Sequence, residues 1–509
     1  MTGRIISGSR ELTQLDMGFN TARAAAALRS AGVDRGESIG LIMRNDFAFF
    51  EASLAARMIG AYPVPVNWHF TAEEAGYLLR DCGAKLIVAH ADLLSGLRRG
   101  LPPDVPVYVV PTPPEISEPY QIDLARGAVP ESEQEWSKWI AGFDPQPLGE
   151  IPMPITMIYT SGTTGRPRGV RRHPPTPEQD GIARATSGSL LGITGPVTTV
   201  ICGPMYHAAP NGYALVAAIS GGTVILQPRF DPEELLQLIA TYRVSHLQMV
   251  PTMFVRLLKL PDEVRSRYDV SSLQWVIHGA APCPPDVKRK MIQWWGPVIN
   301  EYYGSTEVGI VTFCNSEDWL AHPGTVGKPL AHAVVRVFDE EGRELSAGQP
   351  GEVCGRFEGM GDFTYHGDEQ KRREVERNGL ISTGDIGFLD GDGFLFLCDR
   401  KVDMVISGGV NIYPAEIEAE LLKHEDILDC AVFGIPEAEF GEVLCAYIRP
   451  QPGARLDTAE VQRFLRQSLA AYKVPRVMEF RDELPRHDTG KILKRELRAP
   501  YWERVGRRI

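Results

Sequence analysis

No two of the eight cysteines in this 509-residue chain stand at Cys-x-x-Cys spacing. Cys82, Cys202, Cys283, Cys314, Cys354, Cys398, Cys430 and Cys445 are scattered, so neither a zinc site nor a redox pair is suggested. The first residues, Met1 to Arg10, are polar, with no apolar core ahead of a cleavage site, so no secretory signal is expected. Together these absences point to a reducing cytoplasm and buried free thiols. Long apolar runs are missing too. The longest, Tyr213 to Leu226, is about fourteen residues, contains Gly221-Gly222 and is too short to span a membrane. Positive charge is in deficit: 53 Lys and Arg face 65 Asp and Glu, a net charge of −12 that argues against general nucleic-acid binding. The basic stretch from Arg486 to Arg508 reads as a solvated helix and tail. Hydrolase signatures are absent: there is no Gly-x-Ser-x-Gly elbow, and His424-Glu425 lacks the second histidine of a zincin.

What is present is ordinary for a soluble globular protein, with 43% apolar and 23% charged residues. The length allows about three or four domain-sized units and a core that needs no disulfides. The first part alternates helix and strand patterns. Phe19 to Ala31, Phe47 to Met58 and Thr71 to Cys82 have helical spacing, whereas Ser38 to Met43, Ala61 to Pro65 and Lys85 to Ala89 read as strands. Such alternation implies a parallel sheet covered by helices. Residues 101–150, rich in Pro, Glu and Ser, read as connecting structure. The rhythm resumes with strands near Thr199 to Cys202, Thr223 to Leu226, His246 to Val250 and Trp275 to His278. From about Gly324, short strands with glycine turns suggest a β-barrel or small antiparallel sheet. Asp399-Arg400-Lys401 is a charged break, and a unit of about 110 residues, a proper domain size, follows it. There is no internal repeat.

The run Tyr159-Thr160-Ser161-Gly162-Thr163-Thr164-Gly165-Arg166-Pro167-Arg168-Gly169-Val170 is the most informative stretch. Its glycines let backbone N–H groups converge, and its hydroxyls add donors, which makes an anion nest. Arg166 and Arg168 supply countercharge. A P-loop is excluded, because after the four residues that follow Gly162 stands Pro167 and no Gly-Lys-Ser/Thr ending follows. The run alone leaves two readings open, a triphosphate or pyrophosphate site and a flexible surface loop.

Further segments accompany it in order: Glu301-Tyr302-Tyr303-Gly304-Ser305-Thr306-Glu307, Ser382-Thr383-Gly384-Asp385, Asp399-Arg400-Lys401-Val402-Asp403, Ser407-Gly408-Gly409-Val410-Asn411-Ile412-Tyr413-Pro414 and Asp488-Thr489-Gly490-Lys491. With these segments the chain resembles the adenylate-forming superfamily: acyl- and aryl-CoA synthetases, firefly luciferase and peptide-synthetase adenylation domains. The resemblance runs from about residue 20 to about residue 500. It implies an α/β fold. A large N-terminal domain (1–398) has parallel-rich sheets covered by helices plus a small β-barrel-like part. A small mobile α+β C-terminal domain (399–509) carries the catalytic lysine, with the hinge near Asp399.

The same resemblance implies ATP, Mg²⁺ and coenzyme A as cofactor and co-substrates, and a carboxylic acid as the other substrate. On this pattern Thr160, Ser161, Gly162, Thr163, Thr164, Gly165 and Arg168 hold the β- and γ-phosphates. Tyr303 stacks on adenine, a flat ring on a flat base, with Gly279, Ala280 and Ala281 on its other side. Thr306 bonds the α-phosphate, Glu307 holds the metal, Asp385 accepts from the ribose hydroxyls and Arg400 reaches ribose or phosphates. Lys491 brings countercharge to a reaction in which two anions must meet. His207 lies near the carboxylate, with a core histidine as its alternative; Ala208, Ala209, Asn211, Tyr213, Gly304 and Ser305 wall the acyl pocket. Ser407, Gly408 and Gly409 face a pantetheine channel.

Departures from the family pattern are Arg168 for a common lysine, Leu380 and Ser382 for Trp and His, and Val402 and Ile406 where luciferase-like members carry lysines. The implied activity is an acid–CoA ligase for medium- or long-chain, steroid-side-chain or aryl acids, located in the cytoplasm, with a homodimer kept among the expectations. An acyl-AMP ligase loading a carrier is the first alternative. The chain has about eighteen residues after Lys491, so such a carrier is expected to be a separate protein. A non-catalytic nucleotide sensor is the second alternative, and it expects loss of Lys491 or Glu307, both of which are present.

Overall fold

The computed structural model describes residues 3–145, 153–160, 168–366, 368–407, 410–486 and 492–505. The fold is α/β, with a large N-terminal part built on sheets and a small C-terminal unit with its own core. The first sheet has five parallel strands in the order Tyr62–Pro65, Ser38–Ile42, Ala84–His90, Val107–Val110, Gln134–Glu135. Its second strand, Ser38–Ile42, paired on both sides, is buried at every position, as a strand covered on both faces must be. The helix Phe47–Met58 buries most of its length against that sheet and the helix Gln14–Ser30. Thr71 and Glu74 close a capping box that starts the helix Ala72–Asp81 where a Thr-x-x-Glu should start one.

The second sheet has nine strands. Six run parallel: Ile299–Ser305, Trp275–His278, His246–Met249, Thr198–Ile201, Thr223–Leu226 and Arg4–Ser7. Antiparallel strands Gly309–Cys314 and Lys328–Pro329 extend one edge, and Arg10–Thr13 the other. A smaller antiparallel region follows the β-rich texture expected after Gly324. Ala333–Phe338, Gly351–Phe357, Leu380–Leu389, Glu376–Arg377 and Leu395–Arg400 form one sheet, and Ile158–Thr160, Arg168–Arg172 and Phe363–Tyr365 another. In the C-terminal unit the strands Val410–Ile412, Val405–Ser407, Gly441–Pro450, Ile427–Glu437 and Val477–Phe480 carry the helices Pro414–Leu421, Thr458–Leu465 and Lys494–Glu503. Among the described residues no helix is long and apolar enough to cross a membrane.

Two expectations are corrected, and two segments gain a place in the fold. Residues 101–150 are more than connecting structure: Val107–Val110 and Gln134–Glu135 complete the first sheet, and Trp136 is buried in its core. The polar first residues form the hairpin Arg4–Ser7 and Arg10–Thr13, an edge of the large sheet. The strand Leu395–Arg400 ends within Asp399-Arg400-Lys401, and a turn follows it. The basic C-terminal stretch is not simply solvated. Lys494 Nζ pairs with Glu418 at 2.8 Å, Arg486 pairs with Asp429, and Arg498 donates to the Val402 carbonyl at 2.8 Å.

A buried ionic group lies beneath the ends of the large sheet. Lys288 Nζ meets Glu301 Oε2 at 2.5 Å, and both are buried. His278 stands 3.6 Å from the same oxygen, fully buried, and neither ring nitrogen has a hydrogen-bond partner among the described residues. Burial, helped by the Lys288 charge, holds the His278 pKa well below its ordinary 6.5. The unfolded chain therefore takes up a proton near pH 6.5 that the folded one refuses, and stability falls as the pH drops below that value. The slope from this group is at most about 1.4 kcal/mol per pH unit. His278→Leu is expected to flatten the dependence of denaturation free energy between about pH 5 and 6.5, and an unchanged slope would refute the linkage. Lys288→Met strands the Glu301 carboxylate and is expected to cost about 3–5 kcal/mol in the same measurement.

Candidate active site

The glycine-rich run is the connection of a hairpin. Ile158–Thr160 pairs antiparallel with Arg168–Arg172, and Thr160 stands opposite Arg168. Ser161, Gly162, Thr163, Thr164 and Gly165 lie outside the described residues. Arg168 Nη2 stands 3.8 Å from Asp368 Oδ2, a loose pairing that leaves its cation able to serve an anion.

The strand Ile299–Ser305 brings the next group. Its register shifts between Tyr303 and Gly304, and a Cβ at Gly304 would fall 2.0 Å from the Gly309 carbonyl oxygen. Only glycine lets the two strands close there, and the turn they close presents Thr306 and Glu307. Tyr365 O–H donates to Glu307 Oε1 at 3.3 Å. Among the described residues no cationic side chain forms an ion pair with Glu307, so its carboxylate is open to a hard cation.

Tyr303 and Asp385 meet directly. The Tyr303 hydroxyl donates to Asp385 Oδ2 at 2.6 Å, and Arg400 Nε donates to Oδ1 at 2.8 Å. Asp385 and Arg400 are cross-strand partners, while Tyr303 comes from the large sheet, so three strands converge on one carboxylate. Burial, then the nearby Asp385 charge, pushes the Tyr303 hydroxyl pKa well above 10, so it acts as a neutral donor. Gly279, Ala280 and Ala281 follow the adjacent strand Trp275–His278. A Cβ at Gly279 would come within 2.8–2.9 Å of the Tyr302 ring and carbonyl. Ala280 holds φ +67, a left-handed conformation that costs a non-glycine residue about 1 kcal/mol and is often kept at working sites.

Both strand ends sit at the carboxyl edge of a parallel sheet, the usual side for ligands in open α/β folds. His207 lies at that edge as well, just before the helix Ala208–Ile219. Asn45 holds its loop: the Asn45 amide donates to the Gly203 carbonyl and accepts from the Met205 N–H, each at 2.8 Å. Asn211 supports the loop from behind, donating to the Met205 carbonyl at 2.9 Å and accepting from Thr156 Oγ1 at 2.8 Å. Tyr213 is fully buried against Thr199. Ala208, Ala209 and Ser305 stay at least partly open, as small pocket-lining residues would. The edge of Trp68 packs on Tyr206, with ring centroids 4.6 Å apart.

At the other unit, Asp399 Oδ2 accepts the Ala415 N–H at 2.8 Å and so caps the helix Pro414–Leu421. Burial raises its pKa. Ser407 ends a strand, while Gly408, Gly409 and Lys491 lie outside the described residues. Sequence reasoning missed Asn45, Tyr365 and Arg172. Arg172 donates to the carbonyls of Thr306, Glu307 and Gly361 at 2.8, 2.6 and 2.9 Å. The signal was available in the period of two, which puts Arg172 on the same strand face as the apolar Val170.

Comparison with known proteins adds three kinds of likeness. Residues 4–361 match the AMP-binding enzyme family, and residues 416–491 match the AMP-binding enzyme C-terminal domain. A feruloyl-CoA synthase of Amycolatopsis is 32% identical over 97% of this chain and 95% of its own length. A ligase of Rhodococcus jostii, named for a 7a-methyl-1,5-dioxo-octahydro-indenyl propanoyl:CoA product, is 31% identical over 97% of this chain and 95% of its own. The structure of the anthranilate CoA ligase AuaEII with anthranoyl-AMP superposes with a TM-score of 0.86 at 25% identity, covering 100% of this chain and 95% of that one.

Asn45→Ala tests how the His207 loop is held. It leaves the Gly203 carbonyl and the Met205 N–H without their partner. A loss of about 2–5 kcal/mol in chemical denaturation is expected, at roughly 1–3 kcal/mol per stranded buried group. A loss below about 0.5 kcal/mol, the range of neutral surface changes, would show that the bonds do not hold the loop.

Proposed function

The chain belongs to the AMP-binding enzyme family, and we propose that it joins a ring-bearing carboxylic acid to coenzyme A in two half-reactions. It is an acid–CoA ligase that consumes ATP. In the first half-reaction a carboxylate oxygen attacks the α-phosphorus of ATP, the bond to the β-phosphate oxygen breaks, and pyrophosphate leaves. In the second, the CoA sulfur attacks the carbonyl carbon of the acyl adenylate, a C–S bond forms, the C–O bond breaks and AMP leaves. The thiol proton passes to solvent or to the departing phosphate.

The observation that carries this reading is the convergence of Tyr303 and Arg400 on Asp385 beside the Thr306–Glu307 turn. Asp385 would exchange these bonds for the ribose hydroxyls, and Tyr303 would present its ring to adenine opposite Gly279, Ala280 and Ala281. Thr306 would bond the α-phosphate. The hairpin connection from Thr160 to Arg168 would hold the leaving pyrophosphate, with Arg168 as countercharge. Glu307 fits a Mg²⁺ ion, being a carboxylate with no cationic partner among the described residues, and the ion would supply charge neutralisation at the phosphates. Lys491 would bring its ammonium to the same negative charge during adenylate formation.

The second half-reaction needs the thiol to enter. A hinge near Asp399 would turn the unit from 399 to 509, bringing Ser407, Gly408 and Gly409 to the entry path. For the acid, His207 would lie near the carboxylate, with Ala208, Ala209, Gly304 and Ser305 leaving room for a bulky ring. Asn211 and Tyr213 would act through the loop and helix they hold. The feruloyl, indenyl-propanoyl and anthranoyl groups named for the similar proteins all carry rings, which favours ring-bearing acids over straight chains.

A panel of aryl, fused-ring and straight-chain acids, assayed with and without CoA for pyrophosphate and thioester separately, tests the proposal. Ring-bearing acids are expected to give both products. Pyrophosphate without thioester would instead favour transfer to a carrier protein. Lys491→Ala is expected to slow adenylate formation by on the order of 10²–10³-fold, the cost of losing one charge-stabilising group. It should leave thioester formation from preformed adenylate near the parent rate, and equal damage to both steps would remove the assigned role.

A further inference from the structure

Arg172 is a cation in the wrong place for a surface charge. It is only 5% exposed, and among the described residues no carboxylate side chain pairs with it. Its fork is used on backbone instead. Nη2 donates to the Thr306 carbonyl at 2.8 Å and to the Glu307 carbonyl at 2.6 Å, and Nη1 to the Gly361 carbonyl at 2.9 Å. The guanidinium also lies over the Phe363 ring, 5.6 Å from its centroid. Its own carbonyl accepts the Tyr62 hydroxyl at 2.7 Å. Arg172 ends the strand that returns from the glycine-rich connection, so it ties that hairpin to the turn bearing Thr306 and Glu307.

We infer that Arg172 is the positioning residue of the phosphate side of the site, fixing the Thr306–Glu307 backbone through its carbonyls. The inference rests on the reading of Thr306 and Glu307 as phosphate-side groups. Two successive carbonyls of the turn that follows the strand Ile299–Ser305, both part-buried, would otherwise lack these donors, and the turn would be freer to rotate its peptide planes. A planar guanidinium with fixed donors meets both at once, which a single ammonium on a flexible stem cannot do with the same geometry. The burial that makes these bonds strong also lowers the Arg172 pKa to about 10, still protonated at neutral pH. The Glu307 carboxylate takes no bond from Arg172 and keeps only the Tyr365 hydroxyl among the described residues, while its backbone is held.

Arg172→Ala, Arg172→Lys and Glu307→Gln are compared in three measurements: single-turnover pyrophosphate release, thioester formation from preformed acyl adenylate, and calorimetric affinity for ATP with magnesium. Arg172→Ala is expected to weaken ATP binding and to slow adenylate formation by about 10–100-fold, the usual cost of losing a group that orients a functional side chain. Thioester formation should fall less. Guanidinium ion added to the alanine variant should restore part of the ATP affinity, which a generally loosened fold would not show. If the alanine variant does not fold, the lysine variant carries the test, with the same split between half-reactions expected. Equal loss in both half-reactions with unchanged ATP affinity overturns the inference. Glu307→Gln impairing adenylate formation while both Arg172 variants leave it intact overturns the inference alone. Glu307→Gln leaving it intact removes the reading beneath it.

Discussion

One carboxylate holds the site together. Asp385 receives the Tyr303 hydroxyl at 2.6 Å and Arg400 Nε at 2.8 Å, and its donors come from different sheets. A buried carboxylate needs such partners, and charge-assisted bonds of this length are among the stronger ones a protein makes. Without a nucleotide the tyrosine and arginine meet that need. On the proposed reading a ribose replaces one donor set by another, so binding exchanges hydrogen bonds and does not require a bare buried charge. The same strand that ends at Arg400 includes Asp399, whose carboxylate caps the helix Pro414–Leu421. On the proposed reading, Arg400 and the hinge residue Asp399 are therefore adjacent on one strand.

The walls around Asp385 are made largely of backbone. Gly304 lets two strands close on a turn, Gly279 admits the Tyr302 ring, and Ala280 accepts a left-handed conformation in order to follow it. At both glycines a Cβ would collide with neighbouring protein atoms, so the close approach of strand and ring requires them. Behind this layer, polar side chains hold loops by their backbone: Asn45 the His207 loop, Arg172 the Thr306–Glu307 turn. Neither touches the space it shapes. The design separates groups that meet ligand from groups that fix where those groups stand.

This separation explains what could be read from sequence. The helix Phe47–Met58 and the strands Thr223–Leu226 and Trp275–His278 have the bounds expected of them, because apolar runs there stop at turn residues. Residues 101–150 were misread because Val107–Val110 is four residues long and Gln134–Glu135 is a polar pair. Their strand character comes from pairing in the sheet, which composition does not carry. In Asp399-Arg400-Lys401 the charge marks a strand end, and the cross-strand Asp385 pairs with the arginine. Tyr303, Asp385, Glu307 and Arg400 were legible because their motif spacing is distinctive. Asn45 is not, and Arg172 is legible only as an inward position on its strand, since their partners lie more than a hundred residues away and are backbone atoms that any residue would offer.

The central claim is that the acid's carboxylate attacks the α-phosphorus of ATP at the site organised around Asp385. Oxygen labelling tests it most directly. A ring-bearing acid with ¹⁸O in both carboxylate positions is turned over with ATP and CoA, and AMP and pyrophosphate are analysed by mass. The account predicts one ¹⁸O in each AMP, carried from the carboxylate through the adenylate, and none in pyrophosphate. Label in inorganic phosphate or pyrophosphate, with AMP unlabelled, would mean attack at another phosphorus and would contradict it.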